Sequence, residues 1–208
     1  VIPALAAEDA STRLKAALAI GSSPRPELVD TLVARCAIEP DFYVRDMLTW
    51  ALTRFPPQIT VPRLIAELRS EVAQARSQAL HTLSKIKDAS AWPAITHSLL
   101  RDPVDEVARS AWRAAVVLVP DAQKADLAVE LAAQLGRGDR EVQLSLSSAL
   151  VALGADVIEP VLRTAMVSEV PGVRAHANAT EKLLRDPNAG FELAVQEAKR
   201  TFTLSKER

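Results

Sequence analysis

The chain has 208 residues, of which 49% are hydrophobic but only 4% aromatic, and its formal net charge is −1. That apolar share argues for a packed core and against disorder, and the charge balance argues against a dedicated nucleic-acid binder. Cys36 is the single cysteine, which excludes an internal disulfide and any Cys-rich metal motif. A reduced, cytoplasmic setting is the expectation. No apolar run reaches the roughly 18 residues of a membrane-spanning helix, and no signal peptide is visible. The chain begins at Val1 without Met, inside an expected helix, as a piece of a longer protein would.

In chain order, amphipathic stretches alternate between two kinds. The first kind comprises "IPALAA" (2–7), "PELVDTLVARC" (26–36), "VPRLIAELRS" (61–70), "AWPAITHSLLR" (91–101), "KADLAVELAAQL" (124–135) and "IEPVLRTAMV" (158–167). Apolar residues recur there at helical spacing, as in Leu28, Leu32 and Val33. Prolines 3, 26, 62, 93 and 160 are expected in first helical turns, where the missing N–H costs little. The second kind is "TRLKAALAIG" (12–21), "VRDMLTWALTRF" (44–55), "ARSQALHTLSKI" (75–86), "ARSAWRAAVVLV" (108–119), "VQLSLSSALVAL" (142–153) and "VRAHANATEKLL" (173–184). The break "GSSPRP" (21–26) reads as a turn between repeats, and "AGFELAVQEAKRTFTL" (189–204) as a C-terminal capping helix.

The second kind aligns without gaps. Its second position holds Arg13, Arg45, Arg76, Arg109, Gln143 and Arg174, at intervals of 31 to 34 residues. An acid lies four or five positions upstream each time: Asp9, Asp41, Glu71, Asp105, Asp139 and Glu169. Near a helix start such acids accept from free backbone N–H groups and suit the positive end of the dipole. The expected unit is therefore helix A, a short acidic turn, helix B bearing the Arg, and a longer connection. Two helices cannot bury their apolar faces alone, so neighbours stack into one core. The expectation is an all-α, right-handed α-solenoid of about six antiparallel helix pairs, with residues 1–208 as a single domain.

The pattern resembles the HEAT family, in particular the short bacterial HEAT-like repeats also found in phycobilin lyase subunits. The residues that carry the resemblance are Asp41, Val44, Arg45, Ala51 and Leu52, then Asp105, Arg109 and Ala115, then Glu169, Val173, Arg174 and Ala177. The resemblance implies a hydrogen-bonded ladder between the Arg and acid columns, weaker at Gln143. It also implies that helix B lines a concave surface. It says almost nothing about function.

Chemistry is sparse. His81, His97 and His176 fall on different helices, with no His-x-x-x-His or His-Glu pair, so no metal is expected and each reads as a surface residue. No Gly-rich phosphate loop and no Gly-x-Ser-x-Gly elbow occurs. No catalytic residue and no cofactor is expected. Cys36 reads as a small buried hydrophobe. Trp92 and Trp112 read as packing, and Phe42 and Tyr43 as a staple before helix B. In the register of the resemblance, the groove positions are Lys15 and Leu18, then Asp46, Met47, Trp50 and Arg54, then Gln78, His81 and Lys85. Later repeats offer Ser110, Ala111, Ala114, Ser145, Ser148, Ala175 and Ala179, so the groove is expected to become small and smooth. Trp, Met and Arg side by side have the composition of an interface hot spot, although Trp50 would also serve to fill a gap between helices. The expected function is a non-catalytic scaffold or regulatory module that takes a protein or peptide partner. Nucleic acid is disfavoured as a partner and no membrane association is expected. One alternative is a nucleic-acid-binding or DNA-glycosylase-like protein, of which Asp46 and Trp50 are a faint echo. Another, resting on the resemblance alone, is a bilin-lyase-like or chaperone-like module.

Overall fold

A computed structural model describes residues 2–186, so the expected capping helix at 189–204 lies outside the described residues. Among the described residues every regular element is helical. In chain order they are a 3-10 turn at Pro3–Ala6, α1 (Ala10–Ser22), a 3-10 turn at Pro26–Leu28, α2 (Val29–Ile38), α3 (Phe42–Thr53), α4 (Pro57–Glu67), α5 (Ala73–Ile86), a 3-10 turn at Ala89–Ala94, α6 (His97–Leu100), α7 (Asp105–Leu118), a 3-10 turn at Asp121–Gln123, α8 (Lys124–Ala132), α9 (Arg140–Ala152), α10 (Ala155–Met166) and α11 (Pro171–Arg185). The odd-numbered helices are the expected B helices. Among the described residues the packing divides the chain into two compact units, one running to Asp121 and one beginning at Ala122.

In the first unit α1, α3, α5 and α7 lie side by side as one layer. The A elements form a second layer, with α2 packed on both α3 and α5, and α6 on α7. Leu48, Leu52, Leu80, Leu83 and Trp112 are fully buried between the layers. Each such leucine contributes roughly 1.5–3 kcal/mol by leaving water. In the second unit α9 packs on α11 and α8 on α10, around Leu131, Leu146, Leu150 and Ile158. These are stacked helix pairs, the architecture of an α-solenoid.

Local chemistry departs from expectation in three places. First, Pro62 and Pro160 sit inside α4 and α10, not at their starts, since the helices begin earlier at Pro57 and Ala155. The fourth A helix is broken into the 3-10 turn containing Pro93 and the single turn α6, whose Leu100 carbonyl accepts from Trp112 Nε1 at 2.8 Å.

Second, only three of the six acids cap. Asp9, Asp41 and Asp139 accept from backbone N–H groups of α1, α3 and α9. Before α5, α7 and α11 the N-cap residue is a valine (Val72, Val104 or Val170), and Glu71, Asp105 and Glu169 are one position out of register. There the N–H of the valine donates to a side chain two residues upstream, from Ser70, Asp102 or Ser168.

Third, Arg13, Arg45, Arg76 and Arg174 turn to backbone carbonyls and not to that acid column. Each donates to carbonyls of the turn just before its own helix. Gln143 makes a weaker version of this contact, to the Gly138 carbonyl. Where an Arg reaches the next repeat, it finds a different acid. Arg13 grips Glu39 through two bonds of 2.8 and 2.7 Å, and Arg76 pairs with Asp102. Small hydroxyls join neighbouring B helices as well, at Thr49–Thr82, Ser77–Ser110 and Ser147–Thr180. Ser and Thr at these buried positions let the helices approach closely while satisfying their own polar atoms.

Candidate protein-interaction surface

The outer face of the B-helix layer in the first unit carries the expected groove residues. Their exposure follows from helical period. On α3, Val44, Leu48, Ala51 and Leu52 point inward, which turns Asp46, Trp50 and Arg54 outward at spacings of four. Lys15 and Leu18 on α1 are exposed, as is Lys85 on α5, while Met47, Gln78 and His81 are half-buried.

Trp50 is both packed and open. It keeps 37% of its surface exposed. One ring edge lies on the bare backbone of α1 at Gly21, where an added Cβ would stand 2.3 Å from Trp50 Cζ3. The Arg54 guanidinium lies 5.9 Å from the indole centroid, within cation–π range. A glycine inside a helix is unfavourable on propensity alone. Here it makes room for the indole.

Register fails at α7. Ser110, Ala111 and Ala114, expected in the groove, are buried. Ser110 faces α5 through Ser77, and the outward positions fall to Arg109, Arg113 and Val117. The face is therefore not smooth there. It presents Arg113, which donates to the Arg109 carbonyl and to Ser110 Oγ, each at 3.3 Å. The sequence signal was available: Glu106, Arg109 and Arg113 form a polar stripe at spacings of three and four.

Other expected roles resolve plainly. Phe42 and Tyr43 do not staple α3. They are its first two residues, 65% and 72% exposed, with their rings edge-on at 5.6 Å. The core side of that turn is filled instead by Val44. Trp112 is fully buried and Trp92 half-buried, as packing requires. Cys36 is buried, and burial, followed by the Glu39 charge, pushes its thiol up to about 12. Burial also raises the Glu39 carboxyl, but bonds from Arg13, the Asp41 N–H and Arg35 outweigh it and hold the group at about 2.

In the second unit, the outer faces of α9 and α11 border a cavity of about 280 Å³. Leu144, Ala175, Ala179 and Leu183 supply apolar walls, with Arg140 and Lys182 also lining it. Ala175 and Ala179 are exposed there, but the surface is not smooth, because leucines and cations border the cavity beside them. His176 is not a surface residue. It is 2% exposed, because α11 turns it toward α9 and the turn before it. Its Nδ1 accepts from the Gly136 N–H at 3.0 Å, so the proton sits on Nε2, which faces the Gln143 carbonyl at 2.9 Å and Ser147 Oγ at 3.0 Å. Burial lowers its pKa, and the Gln143 carbonyl opposes that shift. The imidazole is thus a neutral structural tie. His81 is half-buried, and only His97 is exposed as expected.

Among the described residues, no helix is long and apolar enough to cross a membrane. No curated protein matches the chain in sequence. Among solved structures, the complex of CpcE and CpcF of phycocyanin lyase from Nostoc sp. PCC7120 is similar, at 20% identity and a TM-score of 0.51, over 88% of this chain and 75% of that one. Two engineered proteins, solved as crystal structures, are 20% and 17% identical over 88% of this chain and 94% and 96% of theirs, with TM-scores of 0.48 and 0.49. At 20% identity the likeness to the CpcE–CpcF complex is one of fold. The family model for HEAT repeats matches residues 34–116, the span from the end of α2 through most of α7. That span carries HEAT repeats, and the chain folds as a helical-repeat protein.

Proposed function

We propose that the chain is a non-catalytic protein-binding module whose contact surface is the outer face of α1, α3 and α5, centred on Trp50 and extended by Arg113 on α7. The observation that carries this reading is the state of Trp50. A large indole is held in place by Gly21 on one side and Arg54 on another, yet over a third of it is open to solvent. A side chain already ordered loses little entropy when a partner covers it. Trp and Arg are also the residues that most often dominate binding energy. Leu18, Lys15, Asp46 and Lys85 are exposed on the same helices, and Met47, Gln78 and His81 half-buried, a mixture of apolar and polar side chains. Stacked helix pairs present such surfaces as extended, rigid platforms.

The test is crosslinking capture from native lysate, followed by protein identification, with wild type against Trp50→Ala/Arg54→Ala. A defined partner should be captured by wild type and lost in the variant, whose helical circular dichroism stays unchanged. Equal capture by both proteins would move the contact surface elsewhere. Recovery of nucleic acid alone would replace this reading with the nucleic-acid one.

A further inference from the structure

Successive B helices of the first unit are tied by a repeated device, and one copy of it is incomplete. The residue two positions before the N-cap accepts from the N-cap N–H: Glu39 from Asp41, Ser70 from Val72 and Asp102 from Val104. Glu39 also holds Arg13 of α1, and Asp102 holds Arg76 of α5. Ser70 stands at the corresponding place for Arg45 of α3, with a hydroxyl instead of a carboxylate. Among the described residues, Arg45 Nε is buried with no hydrogen-bond partner, and so is Gln78 Oε1 on α5.

The two orphaned atoms belong to one interface. Thr49 on α3 meets Thr82 on α5 at 3.3 Å. One turn earlier on each helix stand Arg45 and Gln78, so the register sets donor opposite acceptor. In the second unit the same step back from the Ser147–Thr180 bond leads to Gln143 and His176, which meet at 2.9 Å. Helix α3 also packs on α5 less extensively than on α1, and α5 packs on α3 less extensively than on α7. The turn end of the interface is secured: Gln74 Nε2 of α5 donates to the Cys36 and Glu39 carbonyls at 2.9 and 2.8 Å. Buried polar groups left unpaired raise the free energy of an arrangement, and a small rotation that joins them offsets what it loses in packing.

We propose that α3 and α5 form the flexing joint of the first unit, pivoting at Gln74 between the open arrangement seen and a closed one in which Arg45 Nε donates to Gln78 Oε1. The joint crosses the face centred on Trp50, with Asp46, Trp50 and Arg54 on one side and His81 and Lys85 on the other. Its setting fixes the spacing that a partner meets there. That consequence rests on the protein-binding reading, whereas the joint itself does not.

Nitroxide labels and pulsed electron paramagnetic resonance on the full chain measure the joint without any partner. One pair, Asp46→Cys/Lys85→Cys, spans α3 and α5, and a second, Lys85→Cys/Val117→Cys, spans α5 and α7, all at exposed positions. Cys36, buried with its thiol pushed up to about 12, stays unlabelled at neutral pH. The α3–α5 distances should spread about twice as widely as the α5–α7 distances. Ser70→Asp supplies the missing carboxylate and keeps an acceptor for the Val72 N–H, and should narrow the spread to that of α5–α7. Gln78→Leu removes the closed bond and should leave the longer distance alone. Equal spreads for the two pairs overturn the joint. A wide spread that persists in Ser70→Asp overturns the missing carboxylate as its cause, and one that persists in Gln78→Leu overturns the closed bond.

Discussion

In the first unit, Arg13 and Arg35 converge on a Glu39 side chain with no solvent exposure, and Arg76 reaches Asp102. In the second unit Arg174 holds a turn carbonyl, but the tie between α9 and α11 is neutral. Gln143 replaces the arginine, and His176 links Gly136, Gln143 and Ser147 without a charge. Both solve one problem, which is to satisfy turn carbonyls and N–H groups buried between stacked helix pairs. The charged solution is stronger bond by bond, but it strands a buried charge when one member is lost. The neutral solution strands no charge, yet it depends on an imidazole staying unprotonated. The two units should therefore fail under different insults.

The largest expected effect follows from removing the charge. Glu39→Gln leaves Arg13 and Arg35 facing a neutral amide in a buried site, and should cost about 3 kcal/mol. Urea unfolding would read it as a lower midpoint at unchanged slope. A loss below about 0.5 kcal/mol would mean that water or movement already compensates the pair.

Acid should separate the units in the opposite order. His176 has a folded pKa below the ordinary 6.5, so the folded state resists a proton that the unfolded chain accepts. The stability that it contributes is present above pH 6.5 and declines as pH falls from there. Glu39, held at about 2 against an ordinary 4.5, keeps its contribution above 4.5 and loses it only as pH falls toward 2. At pH 5 the protection factor of the Gly136 amide should have dropped, while amides of α1 and α3 stay protected. His81 shifts in the same direction, but it is half-exposed and does not contact Gly136. Hydrogen exchange that is uniform across both units would remove the distinction.

The smallest effect divides the six turns themselves. Asp41→Ala removes a real cap from α3 and should cost about 1 kcal/mol. Glu71→Ala removes an acid that caps nothing on α5, and its thermal midpoint should barely move. Equal losses at both sites would mean that the acids act through the helix dipole and not through the hydrogen bond.

The alternation of two amphipathic patterns and the 31-to-34-residue Arg column were enough to read helix pairs, their order and their approximate limits. Periodicity encodes which face of a helix is buried, and Asp46, Trp50 and Arg54 were legible as outward for that reason. Contacts between repeats left no such trace. Glu39 and Asp102 stand outside the acid column, and nothing local distinguishes them from exposed acids until Arg13 and Arg76 close over them. His176 reads as a polar residue in a polar helix, and its burial depends on how α11 meets α9 and Gly136. The outward turn of Arg113 likewise depends on how α7 rolls against α5 to seat Ser110 and Trp112. Helical period is local and can be read along the chain. Pairing across about 26 to 40 residues depends on packing, which exists only once the helices have stacked.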